Sequence, residues 1–439
     1  MPRSALADFA ISKDRPDPVA LLASQNTSRV ASLVPIRYQR MLSSPFAFFR
    51  GAALIMASDL SAGNDTGLHA QLCGDAHLSN FGLFGSAERN LVFDINDFDE
   101  TWPGPWEWDV KRLLTSLAVV GRANCFDGDQ RERVIRISAK AYRERMRTLA
   151  DMGELDVWYA ETAIDDALLA TVDRRYAQEI RKTAAKARSR TNLKELSKLT
   201  ELVDGKRRLI SDPPLIIPID ELVGKTDARK HEQRMSELVE AYQQSLAPSR
   251  RSLVTRFRYA GMARKVVGVG SVGIREWVVM LMGRDNTDPL LLQVKEAQPS
   301  VLENYLGPSG YTNAAERVVE GQRLMQASGD ILLGWLRCAG PDGYEADFYV
   351  RQLRDWKGSA DVDSATPQLL ADYGRSCGEV LARAHARTGD RIAIASYLGS
   401  GEAADIAFTK FAEAYAEQNE RDYAALRAAA ASNRLPQLS

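Results

Sequence analysis

The sequence predicts an α+β protein in which a region of antiparallel strands is set into a mostly helical chain. Three observations carry this. Short alternating runs punctuated by Gly, Asp, Asn and Pro fill residues 252–355, the pattern of strands and turns. Charged, Ala-rich stretches with apolar residues at helical spacing occupy most of 110–250 and return after Asp361. The chain's 439 residues, 45% hydrophobic and 26% charged, supply apolar surface for about two or three core-bearing units.

Composition also narrows the function. A net charge of -1 gives no whole-molecule field that would draw nucleic acid or a membrane surface, so neither is an expected partner. The four cysteines, Cys73, Cys125, Cys338 and Cys377, lie far apart with no C-x-x-C pair, which suits a reducing cytoplasm. The N-terminus lacks the apolar core of a signal peptide, and no apolar run approaches the ~20 residues of a membrane helix. The expectation is a cytoplasmic protein.

Taken in order, residues 1–40 read as a polar N-terminal arm leading into a helix. In S-P-F-A-F-F-R-G, Phe46, Phe48 and Phe49 read as a core strand; the alternative is a lip that places Arg50 in a cleft. Val110 to Arg122 has helical spacing. From Gly128 to Leu246 the signal is helical throughout, broken by extended backbone at D-P-P-L-I-I-P, Asp212 to Pro218. Within it, Thr171 to Ile210 carries 12 Lys and Arg against 5 Asp and Glu, a solvated helix face or a grip on an acidic substrate or phosphate. Five runs then predict about five antiparallel strands: L-V-T-R-F-R-Y-A, A-R-K-V-V-G-V-G, E-W-V-V-M-L-M, P-L-L-L-Q-V-K-E-A and D-F-Y-V-R-Q-L. A helix over Ala314 to Ala327 interrupts them. Helices over Leu369 to Arg387 and Ile406 to Ala429 follow.

Two stretches carry chemistry. Gly268, Gly270 and Gly273 form a G-x-G-x-x-G. A dinucleotide fold would need a helix next, but E-W-V-V-M-L-M reads as a strand, so the glycines fit the phosphate-covering loop of a kinase-like small lobe. Lys295 lies inside the apolar run L-L-L-Q-V-K-E-A, where a lysine either snorkels to an edge or holds a buried anion. With a glycine loop before it and a Glu-bearing helix after it, phosphate binding is the expectation. Glu320, or one turn earlier Glu316, would orient it.

The other stretch, Leu72 to Trp108, gathers Asp75, His77, Asn80, Asp94, Asp97, Asp99 and Glu100 between two short strand-like runs. Asp75 and Asn80 have the D-x-x-x-x-N spacing with which a kinase catalytic loop presents a base and a metal-binding amide. Beyond a turn at Gly85 to Asn90, the strand L-V-F-D-I-N-D-F-D would deliver Asp94 or Asp97 to the same place. Phosphoryl transfer needs such groups: Asp75 to orient or deprotonate the attacking hydroxyl, and oxygens of Asn80, Asp94 and Asp97 to hold Mg²⁺ against nucleotide phosphates. His77 would hold the loop or contact phosphate, or be a hydrogen-bonded structural residue. Trp102, Trp106 and Trp108 read as core anchors, with stacking on a ring or cation as the alternative.

G-D-A-H-L-S-N followed by F-D-I-N-D-F-D resembles the G-D-x-H-x-x-N and I-D-F-D signatures of the aminoglycoside phosphotransferase and choline kinase branch of the protein-kinase-like superfamily. The chain as a whole resembles the bacterial domain-of-unknown-function 2252 family, grouped with those kinases. The markers run from S-P-F-A-F-F-R-G through N-D-F-D-E-T, V-K-E-A and V-V-E-G-Q-R-L-M-Q to Y-V-R-Q-L-R-D-W-K-G-S. The resemblance implies a kinase-like fold that uses ATP and Mg²⁺. Two departures stand out. Cys73 occupies the place where a His usually opens the catalytic loop, and the order of parts is inverted, with the glycine loop about 190 residues after the catalytic loop. L-A-R-A-H-A, Leu381 to Ala386, resembles the helix that ordinarily leads into that loop.

A circular permutation accounts for the inversion, because domain termini often lie close together. The expectation is a two-lobed, circularly permuted protein-kinase-like fold. Residues 252–355 form an antiparallel-sheet small lobe, residues 41–251 and 356–439 form a mostly helical large lobe, and 1–40 form the arm. The expected function is an ATP- and Mg²⁺-dependent phosphotransferase acting on an unknown small-molecule or protein hydroxyl. The alternatives are a nucleotidyl (AMP) transferase, a non-catalytic nucleotide-binding regulator, and a metal-dependent phosphoesterase, which the four histidines of the chain fit poorly.

Overall fold

The computed structural model describes residues 1–9, 11–165, 174–189, 192–203, 205–223, 228–340, 343–353 and 356–436. Half of the chain is helix and 17% strand, in one six-stranded and three two-stranded sheets, so the α+β class holds. No helix among these residues is long and apolar enough to cross a membrane.

In chain order, the elements that position the site are α1 (Val34–Met41), α2 (Pro45–Arg50), β1 (His69–Leu72), β2 (Phe81–Gly85), β3 (Leu91–Ile95), β4 (Trp102–Pro105), α3 (Glu107–Ala123) and α4 (Gly128–Ala150). They continue with β5 (Thr200–Val203), β6 (Lys206–Leu209), β7 (Ile216–Pro218), β8 (Arg258–Lys265), β9 (Glu276–Met282), β10 (Pro289–Ala297) and α5 (Ala314–Met325). The last are β11 (Gly334–Ala339), β12 (Glu345–Gln352), α6 (Pro367–Ala386) and α7 (Ala403–Ala431).

Four sequence expectations need correction. Phe46, Phe48 and Phe49 lie on a helix, not a strand. The Ser44 hydroxyl accepts from Ala47 N, Pro45 occupies the first turn, and one helical turn buries all three rings. Residues 128–246 are not wholly helical, because β5 and β6 form a hairpin and β7 joins the main sheet. The first two alternating runs supply one strand, not two: a helix over Pro248–Val254 takes the start, and β8 begins at Arg258 with a register shift between Tyr259 and Gly261. Finally, G-W-L-R-C-A forms the edge strand β11, giving the sheet order β11-β12-β10-β9-β8-β7, antiparallel throughout.

The remainder of the chain is built around α3, buried from Glu107 to Gly121 between α4, α6 and α7. An apolar face on every side is what a central helix requires. Charged positions on these helices are paired as they are buried: Arg143 with Asp405 at 2.9 Å, and Lys111 above the Phe411 ring at 4.4 Å. Residues 1–40 are no detached arm. Leu6 is fully buried, Arg15 bridges Asp59 and Asp422 at 2.6 Å each, and α1 packs beside the loop between β8 and β9.

Candidate functional site

β1 pairs with β4, and the chain between β1 and β2, residues 73–80, crosses over the buried N-terminus of α3. Asp109, in the first turn of α3, accepts from the amides of Cys73 (2.8 Å) and Gly74 (3.1 Å), fixing the loop at its root. His385 of α6 lies with Nε2 3.4 Å from the same carboxylate, and its Nδ1 meets the Tyr142 hydroxyl at 2.8 Å. A histidine from L-A-R-A-H-A thus meets the carboxylate that holds the Cys73 and Gly74 amides. Gly74 has φ +80°, and a Cβ there would stand 2.1 Å from the Glu100 carbonyl oxygen, so the turn admits only glycine.

Asp75 follows, with Oδ1 accepting from Arg112 Nε at 2.5 Å and Oδ2 3.6 Å from His77 Nε2. Burial pushes the Asp75 carboxyl up to about 6, although Arg112 pulls the other way. Arg112 also donates to the Phe49 carbonyl (2.8 Å) and stacks on the Phe49 ring, so one buried guanidinium ties the loop to the end of α2. His77 is buried; burial, with Arg50 and Arg112 nearby, holds it well below its usual pKa and therefore neutral. Asn80 donates to the Asp75 carbonyl at 2.8 Å, and its own carbonyl accepts from Asn96 N, joining the loop to the β2–β3 hairpin.

The hairpin delivers its two aspartates to different places. Asp94 points into the protein, where it pairs with Arg383 of α6 and accepts from Ile95 N; it lines no part of the cleft described below. Asp97, past the end of β3, lines the cleft together with Asn80. Burial works against the Asp97 charge, but Lys295, Arg351 and Lys357 outweigh it and hold the carboxyl below its ordinary value.

Lys295 lies on β10 opposite Glu276 of β9 and Tyr349 of β12. Its ammonium pairs with Asp99, whose other oxygen accepts from the Tyr349 hydroxyl at 2.8 Å. Burial disfavours the ammonium; Asp99, Tyr349, Asp97 and Glu276 more than compensate and keep it charged. The expected pairing with Glu320 is not made. Glu320 bonds Arg323 at 2.7 Å, and neither it nor Glu316 lines the cleft. The cleft receives Gln322 from α5 and Gln326 just past its end instead, because Arg317 anchors that helix through the carbonyls of Asp99, Thr101 and Gln298.

Gly268 and Gly270 lie on the β8–β9 loop as expected and face the cavity below it. Gly268 has φ +72°, and its carbonyl accepts from Arg40 at 2.5 Å. Gly273 faces away: its carbonyl accepts from Val30 N and its α-carbon packs on the Arg29 side chain. Trp102, Trp106 and Trp108 are core residues, with Trp106 stacked on Tyr142 at 5.5 Å.

These residues border a cleft of about 1540 Å³, open mouth included, between the six-stranded sheet and the loop carrying Asn80. A polar cleft of this size, whose lining includes Lys265, Lys295, Arg351 and Lys357 as well as Asn80, Asp97, Glu276 and Asp330, suits a polyanion with an associated cation. The Asn80 amide oxygen and the second Asp97 oxygen accept no hydrogen bond among the described residues. No group of three or more His, Cys, Asp and Glu that could hold a metal occurs among those residues. Two protein oxygens are nonetheless what Mg²⁺ commonly takes when phosphates and waters supply the rest.

Sequence reasoning missed Arg112, Glu276, Arg351 and the part played by Asp99. Only Asp99 carried a signal, as a member of the acidic stretch. The rings of Phe46, Phe48 and Phe49 are core, as expected, while Arg50 after them lines the cleft. A family model described as an uncharacterized protein conserved in bacteria matches residues 29–429. No curated protein and no solved structure matches the chain.

Proposed function

The chain belongs to that bacterial family, DUF2252, and from this premise we propose that it is an ATP- and Mg²⁺-dependent phosphotransferase of circularly permuted, kinase-like fold acting on a hydroxyl-bearing acceptor. The observation that carries the reading is that Lys295 and Asp97, nearly 200 positions apart, line one cleft together with Asn80. On this reading the six-stranded sheet is the small lobe and the helical remainder the large lobe. The small lobe starts at β7 rather than at residue 252.

Lys295 contacts the nucleotide phosphates, exchanging part of its pairing with Asp99 for them, and the backbone at Gly268 and Gly270 covers them. Asn80 and Asp97 hold Mg²⁺, which when bound neutralises charge on the transferring phosphoryl group. Asp75 orients the acceptor hydroxyl and takes its proton. With its pKa near 6 it is a carboxylate at neutral pH yet basic enough for that task. Arg112 keeps it aimed, and Asp109 with His385 keeps the loop from moving.

The test is product analysis after incubation with ATP and Mg²⁺, in wild type and in Lys295→Met. ADP that disappears with the variant supports phosphoryl transfer. AMP or pyrophosphate would indicate nucleotidyl transfer, and binding without turnover a nucleotide-dependent regulator. Stabilisation by ATP and Mg²⁺ that is equal in wild type, Lys295→Met and Asp97→Ala would overturn the assignment of the cleft.

A further inference from the structure

Beneath the β8–β9 loop lies a second cavity, of about 620 Å³, that shares Arg50, Asn80, Asp97 and Gly268 with the cleft and reaches Asp75. Asp75, Asp97, Asp99 and Glu100 supply its acidic lining. Arg29, Arg37 and Arg50 supply its basic lining. We infer that these three arginines form a subsite for a phosphate group held beside Asp75.

The argument is one of missing partners. Arg112, Arg143 and Arg383, buried elsewhere, pair with the carboxylates of Asp75, Asp405 and Asp94, and buried Arg317 bonds three backbone carbonyls. The three in this cavity have no carboxylate partner among the described residues. Arg29 donates only to the Val272 carbonyl (2.5 Å), and Arg37 to the Gln25 and Asn26 side chains and the Gly51 carbonyl. Arg50 makes no hydrogen bond or ion pair among the described residues. The Nε of each is buried without a partner, although Arg29 is 8% and Arg37 0% exposed. Burial lowers the pKa of all three, and Arg29 lowers that of Arg37 further. Glu100, Asp99 and Glu296 offset part of this for Arg29, and Asp75, Asp363 and Asp97 for Arg50, but burial dominates and the folded chain bears their charge at a cost.

A doubly charged oxyanion removes that cost. A guanidinium fork matches phosphate geometry, and an unpaired one near the reacting hydroxyl is ready to accept it. The carboxylates that share the lining keep the phosphate against the arginines and leave Asp75 free for a hydroxyl. Its position next to a base rests on the phosphotransferase reading; the subsite itself does not. The phosphate has two chemical sources, the acceptor's own ester and the terminal group of the donor.

The experiment is calorimetric titration of the full-length protein with inorganic phosphate, alone, with saturating ADP and Mg²⁺, and with a non-hydrolysable ATP analogue and Mg²⁺. Binding that persists in all three assigns the subsite to a phosphorylated acceptor. Binding that only the ATP analogue abolishes assigns it to the donor's terminal phosphate. In Arg50→Gln, phosphate affinity falls about tenfold or more with the melting temperature held, since Arg50 has no bond to lose; Arg50→Lys recovers part of it. Absence of phosphate binding by wild type that binds ADP and Mg²⁺ normally would overturn the subsite alone. So would equal phosphate binding by wild type and Arg50→Gln. Phosphate binding sensitive to Arg50 but without ADP binding would keep the subsite and overturn the nucleotide cleft. Failure of both ligands would overturn both.

Discussion

Replacing Asp94 and Asp97 separately by alanine should produce opposite phenotypes. Asp94 and Arg383 are 3% and 2% exposed, and Arg383 Nε already lacks a partner. Burial raises the Asp94 pKa despite Arg383, so the pair earns little by its charges; the cost lies in leaving Arg383 buried alone. That cost is roughly 3–5 kcal/mol, or a fall in melting temperature of roughly 6 °C or more for a unit of this size. Asp97 is half-buried and accepts one backbone hydrogen bond, while Lys295 retains Asp99. Asp97→Ala should therefore cost only about 1 kcal/mol in the free protein. What it should lose is the ligand: ATP and Mg²⁺ at 100 times Kd stabilise wild type by about 2.7 kcal/mol, and this increment should vanish. Thermal unfolding of both variants, with and without ATP and Mg²⁺, reads out all four numbers. If Asp94→Ala keeps its free-state stability but loses the ligand increment, while Asp97→Ala keeps the increment, the assignment of the two aspartates is refuted.

Three further predictions concern the same loop and cleft. Because burial raises the Asp75 carboxyl from 3.8 to about 6, the base we propose would be lost on acidification below that point. The rate should rise with pH through about 6 and then level, and Asp75→Asn should be slower by about 10²–10⁴ with no such limb; a limb near 4 in wild type would contradict this. Lys295→Met removes a charge-assisted bond to phosphate and should weaken nucleotide binding by roughly 10–100-fold in titration calorimetry. Asp109→Ala leaves the buried amides of Cys73 and Gly74 unpartnered and should lower unfolding free energy by roughly 1–3 kcal/mol for each amide. An unchanged melting temperature there would mean that the loop is held by other means.

How much of this was legible follows from how local each signal was. The Asp75–Asn80 loop, the β2–β3 hairpin and the β8–β9 glycine loop are set by neighbours in sequence, and all three are found where the spacing put them. Asp94 and Asp97 were inseparable because β3 is buried along its whole length, which erases the alternation that tells one face from the other. Asp94's partner lies 289 positions away. Glu320 and Glu316 were misjudged because a charged residue on a helix does not reveal which face meets the sheet; buried Arg317 does. The helix at Phe46 to Phe49 was legible after all, in the Ser-Pro pair before it. β7 and β11 are short edge strands whose sequences carry little periodicity.

The interleaving of chain segments has a consequence for synthesis. Gln71 N bonds the Thr388 hydroxyl, Asp94 needs Arg383, and α3 is closed over by α7. The strands that flank the Asp75 loop thus leave the ribosome long before α6 and the residues just after it, which fasten them, exist. At about 5–20 residues per second, the delay from Asn80 to Ala386 is roughly 15–60 s. The six-stranded sheet, contiguous from Ile216 to Gln352, has its full complement of pairing partners earlier. The sheet is therefore complete before the helical part that α6 closes. A nascent chain that ends before α6 therefore leaves Asp94 without Arg383 and β1 without its bond to Thr388.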